Sequence, residues 1–417
     1  MKAFDPALAR SQFEAFSHPE TGRWVMAENA GGSYAPRQVT DKLHRFMTAT
    51  KVQPYWAFDM SAEVGAAMDR SQALLAAALN AGTEEIMFGP STSMNTYVLA
   101  HALRAELGTG DEVIVTNQDH EANVGAWRRL ADGNSGIVVR EWGVDKEAGR
   151  LDIKKLANLI NDRTRLVCVT HCSNLVAEIN DIAAIAKLVH AAGARLAVDA
   201  VSYAPHMLAD VQALGVDFYY FSLYKVFGPH QGLLYVKREH LERIANQGHV
   251  FNKKLLGKWL TPAGPQHGEI ACAGGIIDYL EQLYAAHLAP GEAPAGSVHE
   301  RVHAVLEEAH KHECGQANRI LDLLRTKGAR ILGPTRAEPH KRAATIAFTA
   351  KRTAPEGIMI GLAKAKVACG GGGHFYARRV VEAIGIDPDA GVARISLVHY
   401  NSAEDVDRIL NALEPLL

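Results

Sequence analysis

Short apolar runs rich in β-branched and aromatic residues alternate with segments of helical periodicity between residues 85 and 236. A short apolar run bounded by polar or turn residues is typical of a buried strand. The runs are EIMF (85–88), EVIVT (112–116), GIVVRE (136–141), RLVCVT (165–170), RLAVD (195–199), DFYYFS (217–222) and GLLYV (232–236). Segments 93–107 and 181–193 predict helices, and Gly193 ends the second. Strands that alternate with helices predict a mainly parallel sheet with helices on both faces.

The connection between the last two runs, 217–222 and 232–236, is too short for the helical crossover that parallel neighbours require. We therefore expect one antiparallel strand, which this pattern places at an edge of the sheet.

The pattern changes after residue 270. Segment 297–328 predicts a long helix, and further runs predict a strand at 344–350, a helix near 355–365, a strand at 392–400 and an amphipathic helix at 402–416, with a glycine run at 370–373. The chain has 417 residues, a length that favours two domains. We expect a second, smaller α+β domain, with residues 289–297 as the most linker-like segment.

Composition and charge exclude several functional classes. Hydrophobic residues make up 48% of the chain, and 44 basic and 46 acidic side chains give a net charge of −2, so nothing favours binding to nucleic acid or an anionic membrane. No apolar run reaches the length of about 18 residues that spans a bilayer, and the N-terminus lacks a signal-peptide core. The five cysteines include no CxxC pair, which favours a cytoplasmic protein without disulfides or a metal site.

Polar residues follow five of the predicted strands. They are Ser91, Thr92 and Ser93; His120; Asn174; Asp199; and Ser222 with Lys225. Because open α/β sheets bind ligands at the carboxyl ends of their strands, we expect these residues to meet in one crevice.

Lys225 is flanked by Tyr224, Val226 and Phe227, and no acidic residue lies within six positions of it. Asp199, after an apolar strand, can be its partner in a structural salt bridge. Alternatively, a desolvated lysine favours the neutral amine, which can form a Schiff base with an aldehyde. Pyridoxal phosphate (PLP) requires such a lysine, an acid at its ring nitrogen and a phosphate cradle.

Segment GPSTSMN (89–95) lies between a predicted strand and a helix, where backbone N–H groups and hydroxyls suit a phosphate, although Ser-Thr-Ser is also ordinary N-cap material. Ser222 can add a phosphate contact. His120 can lie on the cofactor ring or be a capping residue. Asn174 can bond the ring hydroxyl, hold substrate, or be a turn residue.

Four segments together resemble the class V aminotransferase and cysteine desulfurase superfamily of PLP enzymes. They are THCSNLVAEIND (170–181), LAVDAVSYAPH (196–206), DFYYFSLYKVFGPHQGLLYV (217–236) and VARISLVHYNSAEDVDRIL (392–410). The resemblance implies Lys225 as the Schiff-base lysine, Asp199 at the pyridine nitrogen and Arg394 as the clamp for the substrate carboxylate. In the first segment Ala177 stands where the family usually has glycine.

The resemblance also implies the aspartate-aminotransferase type of α/β fold, with a mostly parallel seven-stranded sheet flanked by helices in a large domain (25–288). A small α+β domain would combine residues 1–24 and 289–417. Enzymes of this kind are homodimers with active sites at the interface, and their cross-subunit phosphate contact maps onto TPAGPQHGE (261–269), with Gly264, Pro265 and His267 as candidates. The usual Gly-Thr pair is Gly-Pro here.

Two positions depart from the desulfurase pattern. Tyr376, in GGHFYA (372–377), occupies the position of the cysteine that attacks substrate sulfur, and a phenol cannot carry a persulfide. Cys369 lies seven residues earlier and is either a structural thiol or a substitute for that cysteine. Ser202 stands where desulfurases commonly place a glutamine against the cofactor, and we expect it to contact the cofactor. We expect Tyr376, which cannot attack sulfur, to contact substrate.

We therefore expect a PLP enzyme that removes the α-proton of a small amino acid. β-Elimination from a cysteine-type substrate is the leading hypothesis, transamination is the alternative, and epimerisation remains open. The Ser-x-x-Lys of penicillin-binding enzymes also matches residues 222–225, but the required Lys-Thr-Gly motif does not occur in the chain. A scaffold without activity is poorly motivated, because every type of cofactor-contacting residue is retained.

Overall fold

The computed structural model describes residues 4–291 and 295–417. Its strands are β1 Val25–Met26, β2 Ile86–Gly89, β3 Glu112–Thr116, β4 Val138–Trp142, β5 Thr164–Thr170, β6 Arg195–Asp199, β7 Phe218–Ser222, β8 Gly232–Val236, β9 Arg330–Ile331, β10 Thr345–Thr349, β11 Val367–Ala368, β12 Gly370–Gly373 and β13 Val392–Ser396. Its helices are α1 Pro6–Arg10, α2 Arg37–Ala49, α3 Asp59–Ala78, α4 Thr92–Arg104, α5 Glu121–Arg128, α6 Ile153–Leu159, α7 Ile182–Ala191, α8 Val211–Leu214, α9 Arg238–Leu241, α10 His267–Ala273, α11 Gly275–His287, α12 Val298–Thr326, α13 Pro355–Lys364, α14 Arg378–Ala383 and α15 Ala403–Leu413.

The seven predicted strands form one mixed sheet in the order β2-β8-β7-β6-β5-β3-β4. Strands β4, β3, β5, β6 and β7 are parallel neighbours, whereas β8 is antiparallel to both β7 and β2. The prediction of one antiparallel strand is confirmed, but its placement at an edge is wrong. The short loop 223–231 requires only that β8 run back beside β7, and β2 pairs with the outer side of β8 and becomes the edge.

Helices cover this sheet because parallel strands are apolar on both faces. All residues of β3 and β7 are buried, as are those of β5 and β6 except Arg165 and Arg195. Helix α7 begins after Asp181, whose side chain accepts a hydrogen bond from the Ala184 N–H, and Gly193 follows its end with a positive φ of 73°. An N-cap aspartate and a glycine with positive φ are common at the two ends of a helix, so the predicted extent of this helix is confirmed.

A second sheet of four antiparallel strands, in the order β12-β13-β10-β9, lies in the C-terminal part of the chain. The glycine run at 370–373 is itself strand β12 and pairs with β13. Strand β1, near the N-terminus, pairs in parallel with β11. Residues 25–26 thus pair with the C-terminal part of the chain, although the predicted boundary at residue 24 places them in the large domain.

Helix α12 joins the two parts. It begins with a capping box in which Ser297 and Glu300 bond each other's backbone N–H groups. Val302 and Leu306 in its first half pack into the core under the large sheet, whereas Ile320 and Leu324 pack into the core of the second sheet. The boundaries at 24 and 288 stay a prediction, and the predicted linker 289–297 includes residues 292–294, which lie outside the described residues, as do residues 1–3.

The pairing register of β5, β6 and β7 places their carboxyl ends side by side at one edge of the sheet. Thr170 on β5 lies beside Asp199 on β6, and Asp199 lies beside Tyr220 on β7. The β7–β8 loop then carries Lys225 in a 3₁₀ turn, Leu223–Lys225, at the same edge. None of the described helices combines the length and apolar character needed to cross a bilayer.

Candidate active site

A cavity of about 170 Å³ lies at the carboxyl ends of β5, β6 and β7, next to the start of α4. The residues that line it are Ser91, Thr92, Ser93, His120, Ala122, Thr170, Cys172, Asn174, Asp199, Val201, Ser202, Ser222, Tyr224, Lys225 and His230. All the polar residues expected to meet in one crevice are among them. Their assigned roles, which no contact with a ligand tests here, stay predictions.

Lys225 is buried, with 8% of its surface exposed, and no carboxylate among the described residues lies within ion-pair distance of its Nζ. The structure therefore does not contain the Lys225–Asp199 salt bridge that was one of the two alternatives. Burial, reinforced by the positive charge of Arg394, lowers the pKa of Lys225 to about 8. A neutral amine is thus accessible near physiological pH, as nucleophilic attack on an aldehyde requires.

Asp199 ends β6 and is fixed by its own backbone turn, because Oδ1 accepts a hydrogen bond from the Val201 N–H at 2.8 Å. Within the described residues, no hydrogen bond to Oδ2 is present. Burial raises the pKa of Asp199 to about 6, although the Val201 hydrogen bond and the charge of Lys225 oppose the rise. A desolvated carboxylate with one free oxygen in the cavity is suited to hold a protonated heterocyclic nitrogen.

The start of helix α4 forms another wall of the cavity. Ser91 is the N-cap, and its Oγ accepts a hydrogen bond from the Met94 N–H at 3.2 Å. Thr92 Oγ1 lies 2.7 Å from Ser222 Oγ, so a hydroxyl from α4 and one from the end of β7 are adjacent. Gly232 on β8 allows this approach, because a Cβ there would lie 2.4 Å from the Ser91 carbonyl carbon. Ser91 therefore caps helix α4, and the start of the same helix faces the cavity. The N-terminus of a helix favours bound anions.

His120 likewise fits both of its predicted roles. It is the N-cap of α5, since its Nδ1 accepts from the Ala122 N–H at 3.0 Å, and its ring lines the cavity. Burial, with the charges of Lys225 and Arg394, lowers the pKa of His120 to about 3. The imidazole is therefore neutral at physiological pH and can lie against an aromatic ring without adding a charge.

The two polar atoms of the Asn174 amide differ in their hydrogen bonding. Its Nδ2 donates to the Phe375 carbonyl at 2.9 Å, whereas its Oδ1 is buried and has no partner among the described residues. An unpartnered buried polar atom in a cavity wall is expected to meet a ligand or water. Ser202, also predicted to contact cofactor, lines the same cavity.

A wider cavity of about 530 Å³ adjoins the first and shares Ser93, His120, Asn174, Tyr224 and Lys225 with it. Arg394 and Tyr376, the residues expected to contact substrate together with Asn174, lie on its wall. Arg394 is buried, and the Phe375 ring covers its guanidinium at 4.0 Å. Its Nη2 donates to Glu28 Oε1 at 2.5 Å, a partner that the sequence did not predict.

Gly264, Pro265 and His267 do not line the cavity of Lys225. They lie on a separate cavity of about 340 Å³, with Tyr55 and Phe251. Their predicted contact is with the cofactor of a second subunit, so it stays a prediction. Cys369 lies on neither of the two cavities near Lys225, and burial raises the pKa of its thiol to about 12.

Several cavity residues were not predicted as site residues. Thr170 and Cys172 lie beside Asn174, and Tyr224 precedes Lys225, so proximity in sequence was the available signal for these three. His230 stacks on Tyr224 with ring centroids 4.7 Å apart, a contact formed only when the β7–β8 loop closes.

The family model for "Aminotransferase class-V" matches residues 25–274 and 297–409. The chain belongs to the class V aminotransferase family. It is 35% identical to "Aminotransferase-like protein FGM3" of Gibberella zeae, over all of this chain and 99% of that protein. It is 30% identical to a "Probable cysteine desulfurase" of Halalkalibacterium halodurans, over 80% of this chain and 77% of that one. A solved cysteine desulfurase from Thermococcus onnurineus shares the fold with a TM-score of 0.84, at 23% identity, over 100% of this chain and 98% of that chain.

These findings confirm the predicted family, the fold and the assignment as a PLP-dependent enzyme. The cavity fits that cofactor on its own geometry. As far as the described part of the chain shows, it contains a lysine without an ion-pair partner, an aspartate with one oxygen free of hydrogen bonds, a helix start with adjacent hydroxyls and an amide oxygen without a partner. Together these groups match the aldehyde, ring nitrogen, phosphate and ring hydroxyl of pyridoxal phosphate.

Proposed function

We propose that this protein catalyses β-elimination from a small amino acid with a sulfur leaving group, using PLP held by Lys225 and Asp199. The observation that carries the proposal is the unpaired, buried Lys225 in the same cavity as the free oxygen of Asp199. When bound, the cofactor supplies an electron sink that makes the α-proton of an attached amine acidic. Loss of that proton allows a β-substituent to leave.

Each residue has a distinct role in this proposal. Lys225 would hold the cofactor at its aldehyde carbon, and its amine, neutral when free, would take the α-proton of the substrate as general base. Asp199 keeps the ring nitrogen protonated, and His120 lies against the ring. The start of α4, from Ser91 to Ser93, binds the phosphate together with Ser222. Asn174 and Ser202 bond the ring oxygen.

Elimination is favoured over persulfide transfer because, among the described residues, the one thiol that lines these cavities is that of Cys172, and burial raises its pKa to about 12, so it is held as the unreactive thiol. Tyr376 stands at the position of the loop cysteine, and Cys369 does not line either cavity near Lys225. Transamination is the second candidate, and the 35% identity to an aminotransferase-like protein over the whole chain favours it. Both reactions share removal of the α-proton by Lys225 and differ in the fate of the resulting carbanion.

The test is a panel of amino acids incubated with protein that has been purified with PLP. We expect pyruvate, ammonia and a thiol or sulfide from cysteine-type substrates. A keto acid without sulfide, together with cofactor in its amine form, would establish transamination instead. Borohydride reduction followed by peptide mass spectrometry should place the cofactor label on Lys225.

The matched variants are Lys225→Ala and Lys237→Ala. Lys237 follows β8, and its amine pairs with Glu239 at 2.5 Å, away from the cavity. We expect Lys225→Ala to remove the visible absorption of the bound cofactor and to abolish turnover, with Lys237→Ala unchanged. Turnover retained in Lys225→Ala would contradict the proposed role of this lysine.

We further propose that the protein is a cytoplasmic homodimer whose active sites are completed across the interface. Large apolar side chains are exposed on segments 55–58 and 250–255, which contribute Tyr55 and Phe251 to the cavity that contains Gly264 and His267. The residues are Tyr55, Trp56, Phe58, Val250, Phe251 and Leu255, and Phe251 is 81% exposed. A cluster of this kind supports a contact with a second copy. All five cysteines are free, which supports the cytoplasmic location.

A further inference from the structure

Arg394 already has a carboxylate partner inside the protein. Its side chain is 4% exposed, and its Nη2 donates to Glu28 Oε1 at 2.5 Å. The two residues are far apart in sequence, on β13 and directly after β1. The positive charge that a free α-carboxylate would seek on this wall of the cavity is thus neutralised by the chain itself.

The carboxylate of Glu28 lies close to the backbone of two glycines. A Cβ on Gly31 would lie 2.7 Å from Glu28 Oε1, and a Cβ on Gly370 would lie 3.1 Å from Oε2. The carboxylate is therefore seated between two glycine backbones, one on each side. Substitution of either glycine by a larger residue would crowd the ion pair.

No other uncommitted cation among the described cavity residues can replace Arg394. Lys225 is required for the cofactor, and His120 is neutral because burial lowers its pKa to about 3. Glu121, on the same wall, is a second acid. A ligand carboxylate would either displace Glu28, which leaves that glutamate without a cation, or share one guanidinium with it, which places two negative charges side by side.

An uncharged carbonyl group avoids both penalties. A guanidinium has five N–H donors, and the described residues use two of those on Arg394, for Glu28 and for the Asn174 carbonyl. A remaining donor can bond the oxygen of an amide, ester or thioester while Glu28 stays in place. Such a ligand loses no ion pair and adds no negative charge.

We propose that Glu28 determines the substrate class, so that the site accepts an amino acid derivative with an uncharged acyl group in preference to the free amino acid. The inference rests on the proposed function, because it takes the cavity beside Lys225 as the substrate cavity. It assigns the preferred substrate a masked carboxyl group and leaves the chemistry at the β-carbon unchanged, so that elimination from the preferred substrate gives a pyruvoyl amide, ester or thioester, and the free amino acids that give pyruvate are the weaker substrates.

The test compares L-alanine with L-alaninamide, which differ in charge but hardly in size. Each is titrated into the PLP-loaded protein at equal concentrations of free amine, and binding is followed by the visible absorption of the cofactor. We expect wild-type protein to bind the amide at least about tenfold more tightly, and Glu28→Gln to reduce or reverse that preference by about tenfold or more. The glutamine keeps the shape of the side chain but frees the charge of Arg394.

Glu121→Gln is the matched control, because it removes a negative charge from the same cavity without touching Arg394. It should keep the wild-type preference. The inference is overturned if wild-type protein binds L-alanine as tightly as the amide, or if Glu121→Gln shifts the preference as Glu28→Gln does. If Glu28→Gln fails to fold, the wild-type comparison still decides. If neither ligand changes the absorption, the proposed function fails, and the inference with it.

Discussion

Lys225 and Asp199 are both buried, and burial shifts the pKa of each toward its neutral form. The pKa of Lys225 falls to about 8 and that of Asp199 rises to about 6, yet the two groups do not form an ion pair. Both are therefore in a costly state without a ligand. A bound cofactor with an aldehyde and a basic ring nitrogen would relieve both costs, which is why this pair indicates a binding site and not a structural bridge.

The pKa of Asp199 leads to a prediction about stability. Because the carboxyl has a pKa of about 6 when folded and an ordinary value of 3.8, the folded state binds more protons between these values, and its stability falls as pH rises through them. Asp199→Asn removes this loss while keeping the bond from the Val201 N–H. We expect the cofactor-free variant to be more stable than wild type by about 2–3 kcal/mol at pH 7, but inactive.

The gain should shrink as pH falls between these two pKa values and vanish below about pH 3, where Asp199 is protonated in both states, and thermal unfolding at pH 7 and at about pH 3 measures it. Asp217→Asn is the control, for which the expected change in stability has the opposite sign. Burial acts to raise the pKa of Asp217, but hydrogen bonds from His240 and His190 outweigh it and lower the pKa, so this substitution should destabilise. Equal stability of wild type and Asp199→Asn at pH 7 would contradict the raised pKa.

Individual site residues differed in how far the sequence could predict them. Lys225 and Asp199 each follow an apolar strand, so a polar side chain there is conspicuous and its position at the sheet edge follows from the fold. Glu28 gave no such signal. Its partner is 366 positions away, and that pairing exists only once β1 and β13 are brought together.

At the scale of elements, helix α4 has two functions at one end. Ser91 completes the hydrogen bonding of its first turn, and the same turn faces the cavity. The sequence left capping and phosphate binding as alternatives because both need a hydroxyl before a helix. The structure shows that the cap is formed, and phosphate binding remains to be tested.

Ser91→Asp separates these two functions. Aspartate is as good an N-cap as serine, so the stability of the cofactor-free protein should stay within about 0.5 kcal/mol of wild type. The added negative charge should weaken binding of pyridoxal phosphate by at least about tenfold, because the phosphate is a dianion. Binding of pyridoxal, which lacks the phosphate, should be almost unchanged, and fluorescence titration with both ligands measures the difference.

Ser297→Asp is the matched control, since Ser297 caps helix α12 in the same way but lies away from the cavity. It should alter neither affinity. If Ser91→Asp weakens pyridoxal and its phosphate equally, the start of α4 does not bind the phosphate.

Helices and strands were predicted well where the apolar pattern was strong, and less well where pairing with a distant strand determines the structure. All seven strands of the large sheet were recognised, because all but the edge strand β4 are mostly buried and therefore form apolar runs. The pairing of β2 with the outer side of β8 was not predicted, because the short loop before β8 specifies only that β8 lies next to β7. The glycine run at 370–373 has no side chains to show a strand pattern, and its pairing with β13 makes it one.

At the scale of the whole molecule, one surface is less polar than a free surface should be. Trp56 is 63% exposed, Val250 is 80% exposed and Phe251 is 81% exposed, although large apolar side chains are ordinarily buried. Phe251 lines the cavity with Gly264 and His267, as do Ile86 and Phe88 of the edge strand β2. Trp56 and Val250 are each adjacent in sequence to a residue that lines this cavity. A second copy of the chain that covered this surface would bury these side chains and bring His267 near its neighbour's cavity.

Phe251→Glu tests this assembly. We expect wild-type protein to be a dimer by light scattering at micromolar concentration. The charged variant should shift to monomer and lose activity in parallel, because a carboxylate buried in an apolar interface lacks a partner. Ile153→Glu is the control, since Ile153 is also exposed but begins α6, which packs beside β4 at the opposite edge of the sheet. A fully active wild-type monomer would show that each active site is complete within one chain, and His267 would then have no part in binding the phosphate.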